Sequence, residues 1–316
     1  MTEEILSLPA LDAIPLNFNP ATLTLLNVIL GVVMFGIALD LQLGDFKLVL
    51  QFPRSILIGM LGQFILLPAL SFVLVCLLAP AASMALGMLL VAACPGGNLS
   101  NFLTYFARGN TPLSVCMTAC STAAALVLTP LNFTFWGSLY PPAHALLRKI
   151  ALDPVDLMTA VLLLLGLPLA LGLLLAYRRP RLATALKRPM KILSLLFFGG
   201  FVLAALLANW DNFVNHVGRV AFAVMVQNGL ALAGGYAVAR AARLPEPDCR
   251  AIAIEIGIQN SGLGLLLIFN FFGGLGGMAL VAAWWGIWHI ISGTTLAWLW
   301  SLRPPAAGNT RGISQG

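Results

Sequence analysis

The chain alternates long apolar runs with short polar connections. Nine runs stand out, at about 21–39, 55–78, 84–106, 111–135, 155–176, 192–209, 220–239, 251–270 and 278–300. A helix of about 18 residues or more spans the hydrocarbon of a bilayer. It also pairs its own backbone N–H and C=O groups where no water can reach them. The pattern therefore predicts an all-α polytopic membrane protein with nine transmembrane helices. The third and fourth runs are the hardest to separate, because only Ala107-Arg108-Gly109-Asn110 lies between them.

Composition supports the same class. Of 316 residues, 60% are hydrophobic and 9% charged, with a mean hydropathy of +0.95. Soluble domains carry about 25% charged residues, so this chain cannot coat a soluble surface. The net charge of +6 has a topological meaning. With the N-terminus outside, the inside connections hold Lys47, Arg54, Arg108, Arg178, Arg179, Arg181, Lys187, Arg188, Lys191, Arg240, Arg243, Arg250, Arg303 and Arg311, which is 14 of the 17 basic residues. Arg148, Lys149 and Arg219 remain outside. Basic residues collect on the cytoplasmic side, so the expected orientation is N-terminus outside and C-terminus cytoplasmic. The charge gives no hint of nucleic-acid binding, and nothing indicates an obligate protein partner.

The expected organisation is an external segment 1–20, a first half 21–176 with helices 1–5, a basic cytoplasmic connection 177–191, a second half 192–302 with helices 6–9, and a cytoplasmic tail 303–316. The first segment carries Glu3, Glu4 and Asp12 and no basic residue, unlike the start of a secretory signal peptide. The five cysteines form no CxxC or Cys/His cluster, so neither a disulfide framework nor a thiolate metal centre is expected.

Two apolar runs are interrupted by polar residues at mid-depth. One reads CPGGNLSNFLTYFARGN over 94–110 and the other EIGIQNSG over 255–262. Each follows a helix with an isolated amide, Gln63 in the first half and Gln227-Asn228 in the second. The order of amide helix, broken helix and further helix thus occurs twice. With three helices in each copy, the second copy must run inverted. Inverted repeats with discontinuous helices near the midplane are the mark of secondary transporters.

Pro95-Gly96-Gly97 cannot continue a regular helix, since proline lacks an N–H and glycine favours unwinding. Backbone freed at that depth must line a cavity or be buried in protein. The N–H groups at the next half-helix start suit an anion, and freed carbonyls suit a cation. Asn98, Ser100, Asn101 and Thr104 follow at once, and Ser114, Thr118, Ser121 and Thr122 lie on the next helix. Glu255 is the one acidic residue deep in an expected span, and it shares a helix face with Gln259. With no Lys or Arg at that depth, Glu255 is protonated, carries a proton in transit, or holds a metal cation. Its oxygen-rich neighbours suit a hard cation, and a single carboxylate suits Na⁺ better than a divalent ion. His289 in the last helix and the Trp-rich run 284–300 read as packing and interface residues.

At these residues the chain resembles the bile acid:sodium symporter family. The resemblance runs from MFGIALDLQLGDF (34–46) through PGGNLSNFLTYFARGNTPLSV (95–115) to EIGIQNSGLG (255–264) and WHIISG (288–293). It implies a core domain with two crossing discontinuous helices (expected helices 2, 3, 4, 7, 8 and 9) and a panel domain (1, 5 and 6). Nine helices with the N-terminus outside match one branch of that family. The resemblance also implies two sodium sites. Ser100, Asn101, Ser114, Thr118 and Glu255 would form one. Gln63, Glu255, Ile256, Ile258 and Gln259 would form the other, the isoleucines through their backbone carbonyls. An organic anion would bind between core and panel near Asn98, Asn260, His289 and Ile290. Asn98 and Ile290 depart from the Thr and Asn common in bacterial members.

The expected function is Na⁺-coupled symport of an organic anion, a small carboxylate or bile-acid-like, by alternating access in a bacterial inner membrane. The alternatives are a proton-coupled transporter or Na⁺/H⁺ exchanger of related fold, and a membrane ligand sensor without transport. An enzyme is not expected, because no HExxH motif and no second deep carboxylate are present.

Overall fold

The computed structural model describes residues 50–150, 154–208 and 210–303, with scattered positions between 28 and 39. The expected segment 1–20, most of the first span 21–39, Lys47 and the tail beyond Arg303 lie outside the described residues. Within them the chain is helical throughout, apart from short connections and one isolated antiparallel bridge.

Helix α1 starts at Pro53, where the missing N–H is harmless, and runs over Pro53–Leu78. It contains a π-turn, Gly62–Leu66, just before Pro68. A proline within a helix removes an N–H and crowds the carbonyl four residues back. The wider π-turn relieves that crowding, and it is where Gln63 sits. The same arrangement recurs in α6 (154–178), where the π-turn Leu162–Gly166 precedes Pro168.

Helix α2 (Ala82–Ala93) is buried along its whole length, as a helix apolar all round must be. It then breaks, and the chain resumes as α3 (Leu99–Phe106). Asn110 caps α4 (Thr111–Leu139), accepting from Leu113 N at 3.1 Å. Helices α5 (Pro141–Ile150), α7 (Pro180–Ala208) and α8 (Trp210–Ala241) follow. The second broken run gives α9 (Glu246–Gly257) and α10 (Ser261–Phe271), and the last helix is α11 (Gly276–Ser301).

Helices α2, α10 and α11 share one apolar cluster around Leu89, Phe269 and Trp285, with Phe133 of α4 against it. A Cβ at Gly87 would lie 2.8 Å from the backbone of Met278, so only glycine lets α2 and α11 approach this closely. A second cluster joins α1, α4, α8 and α9 through Ile56, Met117, Ala231 and Ile252. Helix α6 lies against α4 and α7.

Two expected boundaries change. The basic stretch 177–191 is not an irregular connection, because α7 begins at Pro180 and carries Arg181, Lys187 and Arg188 on its early turns. The helix expected over about 111–135 also runs further. Helix α4 continues to Leu139, and α5 follows with Ala143 buried against its neighbours. Four continuous helices, Pro53–Leu78, Thr111–Leu139, Val220–Ala241 and Gly276–Ser301, are long and apolar enough to cross a bilayer among the described residues. Two further expected spans are split by the breaks into shorter pieces.

Candidate functional site

The two breaks meet. Gly97 N donates to Ile258 O at 2.7 Å, Asn260 N donates to Pro95 O at 2.9 Å, and Gly96 and Gln259 form the antiparallel bridge. Each unwound segment thus pairs the backbone groups that the other leaves open, as burial at membrane depth requires.

Glu255 lies on the last turn of α9 and is fully buried. Its Oε2 accepts from Ser100 Oγ at 2.5 Å and Ser114 Oγ at 3.3 Å, and its Oε1 from Thr118 Oγ1 at 2.8 Å. Asn101 Oδ1 completes the cluster, 2.9 Å from Ser114 Oγ and 3.2 Å from Thr118 Oγ1. The five residues of the first expected set therefore bring six oxygens together between α3, α4 and α9. Spacing explains the convergence: Ser114 and Thr118 are one turn apart on α4, and Ser100 and Asn101 open α3.

The donor set is that of a hard cation. Among the described residues no basic side chain pairs with Glu255, and no group of His, Cys, Asp and Glu offers a transition-metal site. An isolated buried carboxylate is costly, and a bound monovalent cation would offset that cost. Each hydroxyl gives one proton and keeps lone pairs, so the ring can accept a cation as well as support the bare carboxylate.

The second expected set is only partly assembled. Gln63 Nε2 donates to Cys94 O and to Gln259 Oε1, each at 2.8 Å. Gln259 Nε2 donates to Ile256 O at 2.6 Å and to Gln63 Oε1 at 3.3 Å. The carbonyl of Ile258 accepts from Gly97 N. Glu255 hydrogen-bonds to the first set and has no bond to Gln63 or Gln259.

The four expected substrate residues differ in exposure. Asn98 is exposed at the start of α3, where its side chain makes no capping bond. Asn260 is half-buried and caps α10, accepting from Leu263 N at 3.0 Å. His289 is 7% exposed and its Nδ1 has no partner, whereas Ile290 is 47% exposed on another side of α11. Successive helical residues point about 100° apart, which is why the two neighbours separate.

Two polar side chains beside the cluster were given no place in either set from sequence. Fully buried Asn228 on α8 donates to Gly257 O at 2.7 Å and accepts from Ser292 Oγ at 2.6 Å. Its signal was an isolated amide on an apolar helix. Thr104 Oγ1 lies 3.3 Å from Ser114 Oγ, behind the oxygen cluster.

The family described as Sodium Bile acid symporter family matches residues 27–216. The chain is 33% identical over 277 residues to the uncharacterized sodium-dependent transporter YocS of Bacillus subtilis, covering 87% of this chain and 83% of that one. It is 32% identical over 272 residues to the probable sodium/metabolite cotransporter BASS1 of Oryza sativa, covering 86% of this chain and 64% of the relative. It is 30% identical over 265 residues to sodium/bile acid cotransporter 5 of Rattus norvegicus, covering 81% of this chain and 58% of the relative. The chain therefore spans less than two thirds of the length of these plant and animal relatives.

Proposed function

The chain belongs to the sodium bile acid symporter family, a family of membrane transporters and not of enzymes, and from that premise we propose that it carries an organic anion inward together with Na⁺. The observation that carries this reading is the cluster of six oxygens around Glu255, built by α3, α4 and α9 where the two breaks meet. Ser100, Asn101, Ser114, Thr118 and Glu255 would bind one Na⁺. A second Na⁺ would draw on Gln63, Gln259 and the carbonyls of Ile256 and Ile258, once the two amides turn their oxygens toward it, with Glu255 nearby.

The substrate would be a small carboxylate or a bile-acid-like anion, held near Asn98 and Asn260 at the starts of α3 and α10. Helix N-termini attract anions without Lys or Arg. Filling the cation sites would brace the crossing and complete the anion site. The helices around the breaks would then move against α6 and α7, exposing the site to the two sides in turn. Two Na⁺ with one carboxylate would carry net positive charge inward, so the membrane potential would assist uptake. The distribution of basic residues favours an external N-terminus and a cytoplasmic C-terminus, in a bacterial inner membrane.

Uptake of a panel of organic anions into proteoliposomes, with inward gradients of Na⁺, K⁺ or H⁺, tests this. Accumulation that requires Na⁺ supports the symport; accumulation indifferent to Na⁺ overturns it. The three hydroxyls trained on one buried carboxylate also suit a proton carrier. In that second reading, a pH gradient alone would drive uptake and Glu255→Gln would abolish it.

A further inference from the structure

Outside the oxygen cluster, the most heavily bonded side chain near the site is that of Arg250. It was counted from sequence among the inside connections, yet it lies within α9 and is only 4% exposed. Its Nη1 donates to Ala107 O at 2.9 Å and to Trp300 O at 3.0 Å, and its Nη2 donates to Arg303 O at 2.8 Å. Its Nε donates to Glu246 Oε1 at 3.0 Å, and its guanidinium lies 5.5 Å from the centroid of the Trp300 ring. Ala107 ends α3, and Trp300 and Arg303 lie at the end of α11. Arg250 thus fills the orphan carbonyls at two helix C-termini, where a cation is also favoured by the helix dipoles.

The register of this contact matters for the oxygen cluster. Helices α3 and α9 are joined at two levels: Ser100 to Glu255 at the crossing, and Ala107 to Arg250 at the other end of the same short helix. A neighbouring contact holds the same pair of ends. Asn110 N donates to Pro247 O at 2.9 Å, and Asn110 Nδ2 donates to Asp248 Oδ1 at 2.8 Å, while Ser55 Oγ donates to Asp248 Oδ2 at 2.6 Å. The rigid fork of Arg250 adds to these contacts by reaching the ends of α3 and α11 at once.

We propose that Arg250 is a positioning residue for cation binding: by tying the ends of α3 and α11 to α9, it sets Ser100 and Asn101 against Glu255. This rests on the reading of the Glu255 cluster as a Na⁺ site. Lysine keeps the charge but loses the planar fork, so Arg250→Lys is the informative change. The full-length protein is purified in detergent, and its thermal midpoint is followed as Na⁺ is titrated against K⁺. Uptake is then measured in proteoliposomes at saturating Na⁺. Arg250→Lys is expected to raise the half-saturating Na⁺ concentration about tenfold, with the substrate KM at saturating Na⁺ unchanged. A purely structural role would lower the midpoint at every Na⁺ concentration and leave half-saturation where it was; that result overturns the inference. If Arg250→Lys does not fold, Trp300→Leu, which keeps the backbone carbonyl and removes the ring, is expected to shift half-saturation in the same direction by about twofold. An unshifted value there overturns the inference equally. Glu255→Gln separates the two readings. If it retains the wild-type Na⁺ response, the site itself is misassigned. If it loses that response while Arg250→Lys keeps it, only the role of Arg250 falls.

Discussion

Gln63 and Asn228 close equivalent helix ends in the two halves of the chain. Gln63 Nε2 donates to the carbonyl of Cys94, where α2 breaks, at 2.8 Å, and Asn228 Nδ2 donates to the carbonyl of Gly257, where α9 breaks, at 2.7 Å. Both amides are fully buried on the helix that precedes the break. A half-helix that stops at membrane depth leaves carbonyls with no partner along the chain, and each half answers with an amide from a neighbour. The two amides thus play matching parts at the two breaks. The remaining amide oxygens then differ: Gln63 Oε1 accepts from Gln259 Nε2 of the opposite break, and Asn228 Oδ1 from Ser292 Oγ of α11.

Asn228→Ala is accordingly expected to strand the Gly257 carbonyl. A buried group left without its partner costs about 1–3 kcal/mol, so the thermal midpoint in detergent should fall by several degrees. Asn270→Ala is the control, because Asn270 donates only to Leu266 O one turn back on its own helix, at 2.9 Å. An equal drop in both variants would show that the bond to the break is not special.

Glu255→Gln keeps the size of the side chain but removes the charge shared by the hydroxyls of Ser100, Ser114 and Thr118. Ligand-linked stabilisation is about 2.7 kcal/mol at a hundredfold excess over Kd. For wild type, a rise in Na⁺ should therefore raise the melting temperature; for Glu255→Gln, Na⁺ and K⁺ should give the same curve. Retained stabilisation by Na⁺ would remove Glu255 from the ligand set.

Much of this site was legible in the sequence because buried polarity in an apolar helix is expensive. Pro95-Gly96-Gly97 and the carboxylate in EIGIQNSG marked both breaks, and the five residues that the family resemblance implied for the first set lie together. What stayed hidden depends on three-dimensional direction. The segment 177–191 looked like a connection because of its charges and prolines. Proline is nevertheless tolerated in a first helical turn, where Pro180 stands, and Arg and Lys stems lie along apolar surface while their heads reach water. Arg250 resembled one more inside charge, and only the fold brings three backbone carbonyls around it. His289 and Ile290 are neighbours in sequence, yet one is buried and the other exposed.

Thr118 offers a graded test of the oxygen cluster. Its hydroxyl lies 2.8 Å from Glu255 Oε1 and 3.2 Å from Asn101 Oδ1. Thr118→Ala deletes one of the six oxygens, and a tenfold loss of apparent Na⁺ affinity, about 1.4 kcal/mol, is expected. Thr118→Ser keeps the oxygen and should stay within about twofold of wild type by the same conversion. Na⁺ dependence of uptake, fitted for all three proteins, decides the matter. Equal behaviour of the Ser and Ala variants would mean that bulk, not oxygen, matters at this position.

Gly96 sits against the carboxylate at the crossing itself. A Cβ there would lie 2.2 Å from Glu255 Oε1 and 2.8 Å from its Cδ, closer than atoms can approach. The side chain of Glu255 cannot swing away freely, because Ser100, Ser114 and Thr118 hold both its oxygens. Gly96→Ala must therefore displace either the carboxylate or the backbone that bridges to Gln259. Overpacking of this kind costs about 1–3 kcal/mol, small enough for the protein to remain folded. The expected result is a protein that purifies and melts cooperatively a few degrees below wild type, yet shows no Na⁺-dependent stabilisation and no uptake. Wild-type uptake by Gly96→Ala would mean that the carboxylate does not work in the position it occupies here.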